Sequence, residues 1–353
     1  MKAWEQNIRK VEPYVPGEQP MLEDMIKLNT NENPYPPAPK VKDAIEKMKI
    51  SDMRLYPEAS CESLVNVLAD YYHLDHDQVF VGVGSDDVLA TAFLTFFNSK
   101  KPILFPDITY AFYDVWAELY KIPYERPALD ENFRIRKEDY YKENGGVVIA
   151  NPNAPTSICE GLDFIEDILK HNQDVIVIVD EAYVDFGGTS AISLLEKYEN
   201  LLITQTFSKS RSMAGVRIGY CMGNKALIKA LNDVKYSINS YTMNQWALKV
   251  GVEAVKDEKY FTETKEKIIK TREATKVALR ELGFIVPDSK TNFLFVTHET
   301  VDCTKLFEYL RTKYIFVRHW DKERISNYLR VTIGTDDEMR RFLEETKQFL
   351  SIH

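Results

Sequence analysis

Short apolar runs alternate along most of this chain with segments whose apolar positions recur at helical spacing. "ESLVNVLADYY" (62–72) has that spacing, "QVFVGVG" (78–84) reads as a strand and "DDVLATAFLTFF" (86–97) as a helix. The alternation continues through the strand "KPILFPD", the helix "TYAFYDVWAELY", the strand "GGVVIANPN" and the helix "GLDFIEDILKHN". Two further strands follow, "VIVIVDEAY" and "NLLITQTFS". Wholly apolar strands alternating with helices predict an α/β fold, a mostly parallel sheet covered by helices on both faces. Functional residues in such sheets gather beyond the carboxyl ends of the strands. From about residue 245 the texture changes to long charged helices, then the short strands "TNFLFVTH", "YIFVRH" and "YLRVTIG" and a closing helix, which predicts a smaller α+β domain. Residues 1–39 are different again. Their Pro- and Asn-rich runs "VEPYVPGEQP" and "NTNENPYPPAPK" favour turns and extended backbone, as in an arm lying across another surface. The expected organisation is an arm (1–39), a large domain (40–250) and a small domain (251–353).

Composition narrows the class without naming a chemistry. The chain has 353 residues, 44% hydrophobic and 28% charged, enough for two domains and a sizeable core. A net charge of -9 with no lysine and arginine stripe argues against nucleic-acid binding. The longest aliphatic run, Val175 to Val179, is far short of a membrane span. "MKAWEQNIRK" lacks the apolar core of a signal peptide, so a cytoplasmic location is expected. Cys61, Cys159, Cys221 and Cys303 are scattered with no C-x-x-C spacing, as befits reduced structural thiols. His73 and His76 have a spacing that could grip a metal but lack a third ligand nearby, so no metal is expected. His319 is expected to be structural.

Three strand ends carry unusual side chains. Asp180 directly follows "VIVIV", where a carboxylate costs several kcal/mol unless it is paired or wet. It is either an exposed loop acid or an acid set to bind a buried cation such as a protonated pyridine nitrogen, with Tyr183 pointing its hydroxyl into the same space. Lys209 follows "NLLITQTFS" and has Arg217 eight positions on. Taken singly it is a solvated surface lysine; beside other cations it offers the free amine that forms a Schiff base. In "VGVGSDDV" a strand runs into a helix start, where Ser85, Asp86 and free backbone N–H groups form either an ordinary cap or a phosphate cradle. The stretch matches neither G-x-G-x-x-G nor the G-K-[ST] phosphate loop. One ligand satisfies all three strand ends: pyridoxal phosphate, an aromatic cation with a phosphate on one side and an aldehyde for an amine.

At this point "NTNENPYPPAP", "RLYPE", "GVGSDD", "NPNAPTS", "VIVDEAY", "TFSKSRSMAGVRIGY" and "YLRVTIG", in that order, resemble the fold-type I, class II pyridoxal-phosphate-dependent aminotransferases. The resemblance covers essentially the whole chain and is closest to the histidinol-phosphate aminotransferases of histidine biosynthesis. It implies that Lys209 carries the cofactor and moves the substrate proton, that Asp180 partners the pyridinium nitrogen and that Tyr183 donates to the ring hydroxyl. Tyr110 would stack on the ring. Ser85, Asp86, Ser208 and Arg217 would hold the phosphate, with Tyr56 reaching it from the partner subunit of a homodimer. Arg330 would receive the acidic group of glutamate or histidinol phosphate, and Arg318, Tyr14 and Asn31 would line the substrate side. A structural role for Arg318 and Tyr14 stays open.

The implied reaction interconverts histidinol phosphate plus 2-oxoglutarate with imidazole-acetol phosphate plus glutamate. An aromatic-amino-acid aminotransferase or a threonine-phosphate decarboxylase on the same scaffold is an alternative, and a non-catalytic cofactor-binding regulator another. Departures from the family pattern are informative. Ala154 stands where an asparagine usually contacts the ring hydroxyl, so either Asn153 shifts in or Tyr183 acts alone. A cis bond is expected before Pro155. Arg211, in "SKSRS", has no assigned task and is expected at the surface.

Overall fold

The computed structural model describes residues 2–352. Its strands are, in chain order, β1 Ile26–Leu28, β2 Val79–Gly82, β3 Ile103–Leu104, β4 Tyr124–Glu125, β5 Gly146–Ala150 and β6 Val177–Asp180. They continue with β7 Leu201–Thr206, β8 Gly219–Gly223, β9 Phe284–Ile285, β10 Phe293–His298, β11 Ile315–His319 and β12 Leu329–Thr332. Seven of them form one sheet in the order β2-β8-β7-β6-β5-β3-β4, in which only β8 runs against its neighbours. The other five form a second sheet, β1-β11-β12-β10-β9, antiparallel except where β1 joins β11.

The central strands of the first sheet are apolar because helices cover both of its faces. Val177, Ile178 and Val179 of β6 are fully buried, and their side chains alternate between two cores. Helix Leu162–His171 shows how those cores are built. Ile165, Ile168 and Leu169 recur on its buried stripe, with Asp163 in its first turn and Lys170 and His171 in its last, each placed favourably for the helix dipole. Among the described residues no helix is long and apolar enough to cross a membrane, and no cluster of His, Cys, Asp and Glu is arranged to hold a metal ion. All four cysteines are free thiols.

Two details go beyond the sequence pattern. Residues 26–28 of the Pro-rich arm are not merely draped: they pair with β11, and Ile26 and Leu28 enter the second core. Arg211 is not at the surface. It is 7% exposed, its guanidinium lies over Phe261 at 4.2 Å and also faces Tyr71 and Phe207, and it donates to the Ala254 carbonyl. Those aromatic faces replace the water that a cation would otherwise need.

The halves carrying the two sheets meet at an apolar seam where Leu129, Phe133 and Ile158 pack on Phe295 and Ile325. Arg324 latches that seam. It pairs with Asp107 at 2.9 Å and donates to the Leu129 and Asp130 carbonyls at 2.8 Å.

Beside the site, Glu181 projects to the face of β6 opposite Asp180. Burial raises it to about 7, although Ser190, the Ala191 N–H and Gln205 all donate to it. The folded chain therefore holds a proton that the unfolded chain releases near 4.5, and this contribution to stability is lost as pH rises toward 7. Between about pH 5 and about pH 8, unfolding by urea should show the wild type losing about 2 to 3 kcal/mol more than Glu181→Gln. Equal losses in the two proteins would mean that Glu181 is ionised at both values.

Candidate active site

The carboxyl ends of β5, β6 and β7 and the amino end of helix Ser85–Phe96 open into an inner pocket of about 170 Å³. Ser85, Asp86, Tyr110, Asp180, Tyr183, Ser208, Lys209 and Arg217 all line it. At its floor, Asp180 is 5% exposed and is raised to about 6 by burial. It accepts from Tyr113 at 2.8 Å and, more weakly, from Thr204 and the Ala182 N–H at 3.3 Å. No lysine, arginine or histidine forms an ion pair with it among the described residues.

Lys209 lies three residues beyond β7, and its loop is tied down from the arm. Asn33 donates to the Lys209 and Ser210 carbonyls at 3.1 and 3.2 Å. The lysine Nζ itself donates to the Thr30 carbonyl at 3.1 Å and lies 5.8 Å from the centre of the Tyr183 ring. The Tyr183 hydroxyl accepts from Asn31 Nδ2 at 2.9 Å.

The far wall is built for an anion. No side chain caps helix Ser85–Phe96, so its first N–H groups are left for another acceptor. Arg217 adopts φ 60°, costly for a non-glycine residue, and reaches Asp86 at 3.2 Å. Asp86 also accepts from Tyr110 at 2.7 Å. Two glycines make this approach possible. A Cβ on Gly84 (φ +85°) would come within 2.5 Å of the Arg217 guanidinium, and one on Gly219 within 2.2 Å of the backbone at Gly84 and Ser85.

Through Thr30, Tyr110, Ala154, Tyr183 and Lys209 the pocket adjoins a larger cleft of about 1180 Å³. Tyr14, Asn31, Arg318 and Arg330 line that cleft. Arg318 and Arg330 are direct cross-strand neighbours on β11 and β12, and both guanidinium groups lie over the Trp320 ring, at 5.5 and 5.3 Å. Like charges directly opposite on adjacent strands repel. Neither has a carboxylate partner among the described residues, and Arg330 Nε is buried without any hydrogen-bond acceptor. Burial, reinforced by Arg318, lowers the Arg330 guanidinium. Tyr14 stacks on Phe112 at 4.2 Å.

Asn153 is not brought in, whereas Tyr56 is expected at the partner's pocket and not at this chain's own. Asn153 is 5% exposed, but its amide is spent elsewhere: it accepts from Thr109 and donates to the Ile108 carbonyl and Thr156. Ala154 is the residue of that turn that lines the pocket, and both the Asn151–Pro152 and Ala154–Pro155 bonds are cis. Tyr56 lies outside this chain's pocket, 82% exposed and packed on Tyr241. His319 also lies outside, held by the Ser326 carbonyl. Sequence reasoning missed Thr30, Asn33, Thr204, Tyr113 and Trp320. The polar run "NTNEN" was the available signal for the first two.

The donor set suits one type of group: a buried acid without a cation, a tethered amine, an uncapped helix end with an arginine, and an aromatic side wall. Together they fit an aromatic cation bearing a phosphate and a carbonyl carbon. Comparison with known proteins agrees. The family described as aminotransferase class I and II matches residues 23–345. A histidinol-phosphate aminotransferase of Lactococcus lactis subsp. cremoris (strain MG1363) is 53% identical over 348 residues, 99% of this chain and 98% of that one. Among solved structures, a histidinol-phosphate aminotransferase from Clostridium acetobutylicum superposes with a TM-score of 0.86 at 24% identity, covering 93% of this chain and 100% of the other. One from Sinorhizobium meliloti, in complex with pyridoxal-5'-phosphate, does so with a TM-score of 0.84 at 20% identity, covering 93% and 91%. The chain belongs to the class I and II aminotransferases.

Proposed function

We propose that the protein transfers an amino group between histidinol phosphate and 2-oxoglutarate, reversibly giving imidazole-acetol phosphate and glutamate, with pyridoxal phosphate as cofactor. The observation that carries the substrate class is the couple Arg318 and Arg330 at the mouth of the pocket, which has no carboxylate partner among the described residues although Arg330 donates to the Asn29 carbonyl. Two guanidinium groups without a carboxylate call for an anion, and their planar donors suit a phosphate and a carboxylate alike. One site can thus receive the phosphate of one substrate and a carboxylate of the other.

Bound in the inner pocket, pyridoxal phosphate supplies an electron sink that makes a substrate Cα–H bond labile. The chain does the rest. Ser208, Arg217 and the N–H groups at Ser85 and Asp86 hold the phosphate. Asp180 keeps a proton on the ring nitrogen, and its ionised form is stabilised by the cation it meets there. Tyr183 donates to the ring hydroxyl without help from Asn153, whose amide is fully engaged. Lys209 would hold the carbonyl carbon at rest, and as a free amine would carry the proton from the substrate Cα to that carbon. Tyr110 walls the ring.

We further propose a homodimer in which Tyr56 completes the partner's phosphate site. The support is that Tyr56 is exposed and packs on Tyr241, and that Ile50, Met53, Leu55 and Ile238, close to these two in the chain, are exposed as well.

In an amino-transfer assay with histidinol phosphate, Lys209→Ala should lower turnover by about a hundredfold or more. Arg330→Ala should raise the KM for histidinol phosphate by about tenfold to a hundredfold. A preference for phenylalanine or threonine phosphate over histidinol phosphate by about a hundredfold would overturn the substrate assignment. For the dimer, Lys209→Ala and Tyr56→Asp proteins, each impaired alone, should regain activity when unfolded together and refolded as a mixture. One site in each hybrid would then be intact; no gain on mixing would place Tyr56 outside the site.

A further inference from the structure

Asp180 Oδ2 has a single hydrogen-bond donor among the described residues, and it is Tyr113. The bond measures 2.8 Å, against 3.3 Å for the two donors to Oδ1. Tyr113 is fully buried and fixed on every side. Tyr110 and Phe105 meet it edge-on at 5.7 and 5.8 Å, Phe93 stacks at 6.0 Å and Trp116 lies at 6.2 Å. Burial, with Asp180 beside it, pushes its own ionisation far above the ordinary tyrosine value, so it stays a donor. Tyr110 lines the pocket just before helix Phe112–Tyr120, and Tyr113, three residues on in the helix's first turn, sits behind Asp180.

The other groups around the carboxylate do not substitute for this bond. Asp86, at the start of helix Ser85–Phe96, opposes its ionisation, whereas Thr204 of β7 and the Ala182 N–H favour it at longer range. Tyr110, Tyr183, Lys209 and Arg217 line the same pocket without bonding to it. A hydroxyl donating to a carboxylate stabilises the charged form and fixes the carboxyl plane.

Resting on the cofactor reading above, we propose that Tyr113 is a positioning residue: it orients Asp180 and keeps it negative toward the ring nitrogen of pyridoxal phosphate, and so sets how strongly that ring withdraws electrons. Without the Tyr113 hydroxyl the proton on the ring nitrogen moves toward Asp180, and the ring loses positive charge. The nitrogen joining Lys209 to the cofactor is then less electron-poor and keeps its own proton to higher pH.

The test compares three proteins reconstituted with pyridoxal phosphate: wild type, Tyr113→Phe, and a protein with 3-fluorotyrosine incorporated at position 113. Equilibrium dialysis gives the cofactor dissociation constant, and absorbance against pH gives the midpoint of the bound cofactor's visible band. Tyr113→Phe should weaken cofactor binding by about tenfold and move the midpoint upward. Fluorotyrosine, a stronger donor of the same shape, should move it downward. An unchanged midpoint in Tyr113→Phe sinks the proposal, and so do shifts of the same sign in both substituted proteins, which mark a packing effect. If Tyr113→Phe fails to fold, the fluorotyrosine protein decides alone, and an unmoved midpoint overturns the proposal. A wild type that takes up no pyridoxal phosphate refutes the cofactor reading and is thereby distinguished from failure of this inference.

Discussion

A carboxyl group held out of water at the end of a strand governs the architecture of this site. Asp180 continues a fully buried apolar strand, and burial alone makes its charge costly. Three neutral donors reduce that cost, but among the described residues no side-chain cation ends it. The opposite imbalance stands across the cleft, where Arg318 and Arg330 face each other without an acid. Acid on the floor and cations at the wall and rim give the cavity a polarity that an apolar ligand would not relieve. A ligand with a cationic ring and anionic ends relieves it at each point, and this asymmetry accounts for the chemistry better than any single residue does.

Much of the first sheet was legible because strands buried on both faces must be apolar throughout, as Val177–Val179 and Leu201–Ile203 are. β8 was harder to see. Its five residues "GYCMG" begin and end in glycine, which strands avoid, and they become a strand by pairing with β2 and β7 on either side. β1 was hidden for another reason, since three residues in a Pro-rich arm become a strand only when β11 is there to pair with. The roles of individual residues came from the family resemblance; periodicity by itself could not separate Lys209 from any solvated lysine.

Asn153, Arg211 and Tyr113 owe their surroundings mainly to residues distant along the chain. Asn153 turns away because Thr109 and the Ile108 carbonyl wait for its amide, some forty residues earlier. Arg211 is buried because aromatic rings at 71, 207 and 261 converge on it. Tyr113 sits in an aromatic-rich helix and reads as plain core until its hydroxyl is seen to meet Asp180. Side-chain hydrogen bonds between remote segments leave no periodic trace in a sequence.

The contact between Asn31 and Tyr183 has a mechanical consequence. Asn31 Oδ1 and its backbone N–H both engage Thr332, and its carbonyl accepts from Asn292. Thr332 lies two residues from Arg330 on β12. Arm, second sheet and ring-side tyrosine are therefore linked like parts of one lever. An anion that draws Arg330 inward cannot displace β12 without also shifting the donor on the Tyr183 hydroxyl. The side chain that fixes the Tyr183 hydroxyl is thus itself fixed by the strand that carries Arg330.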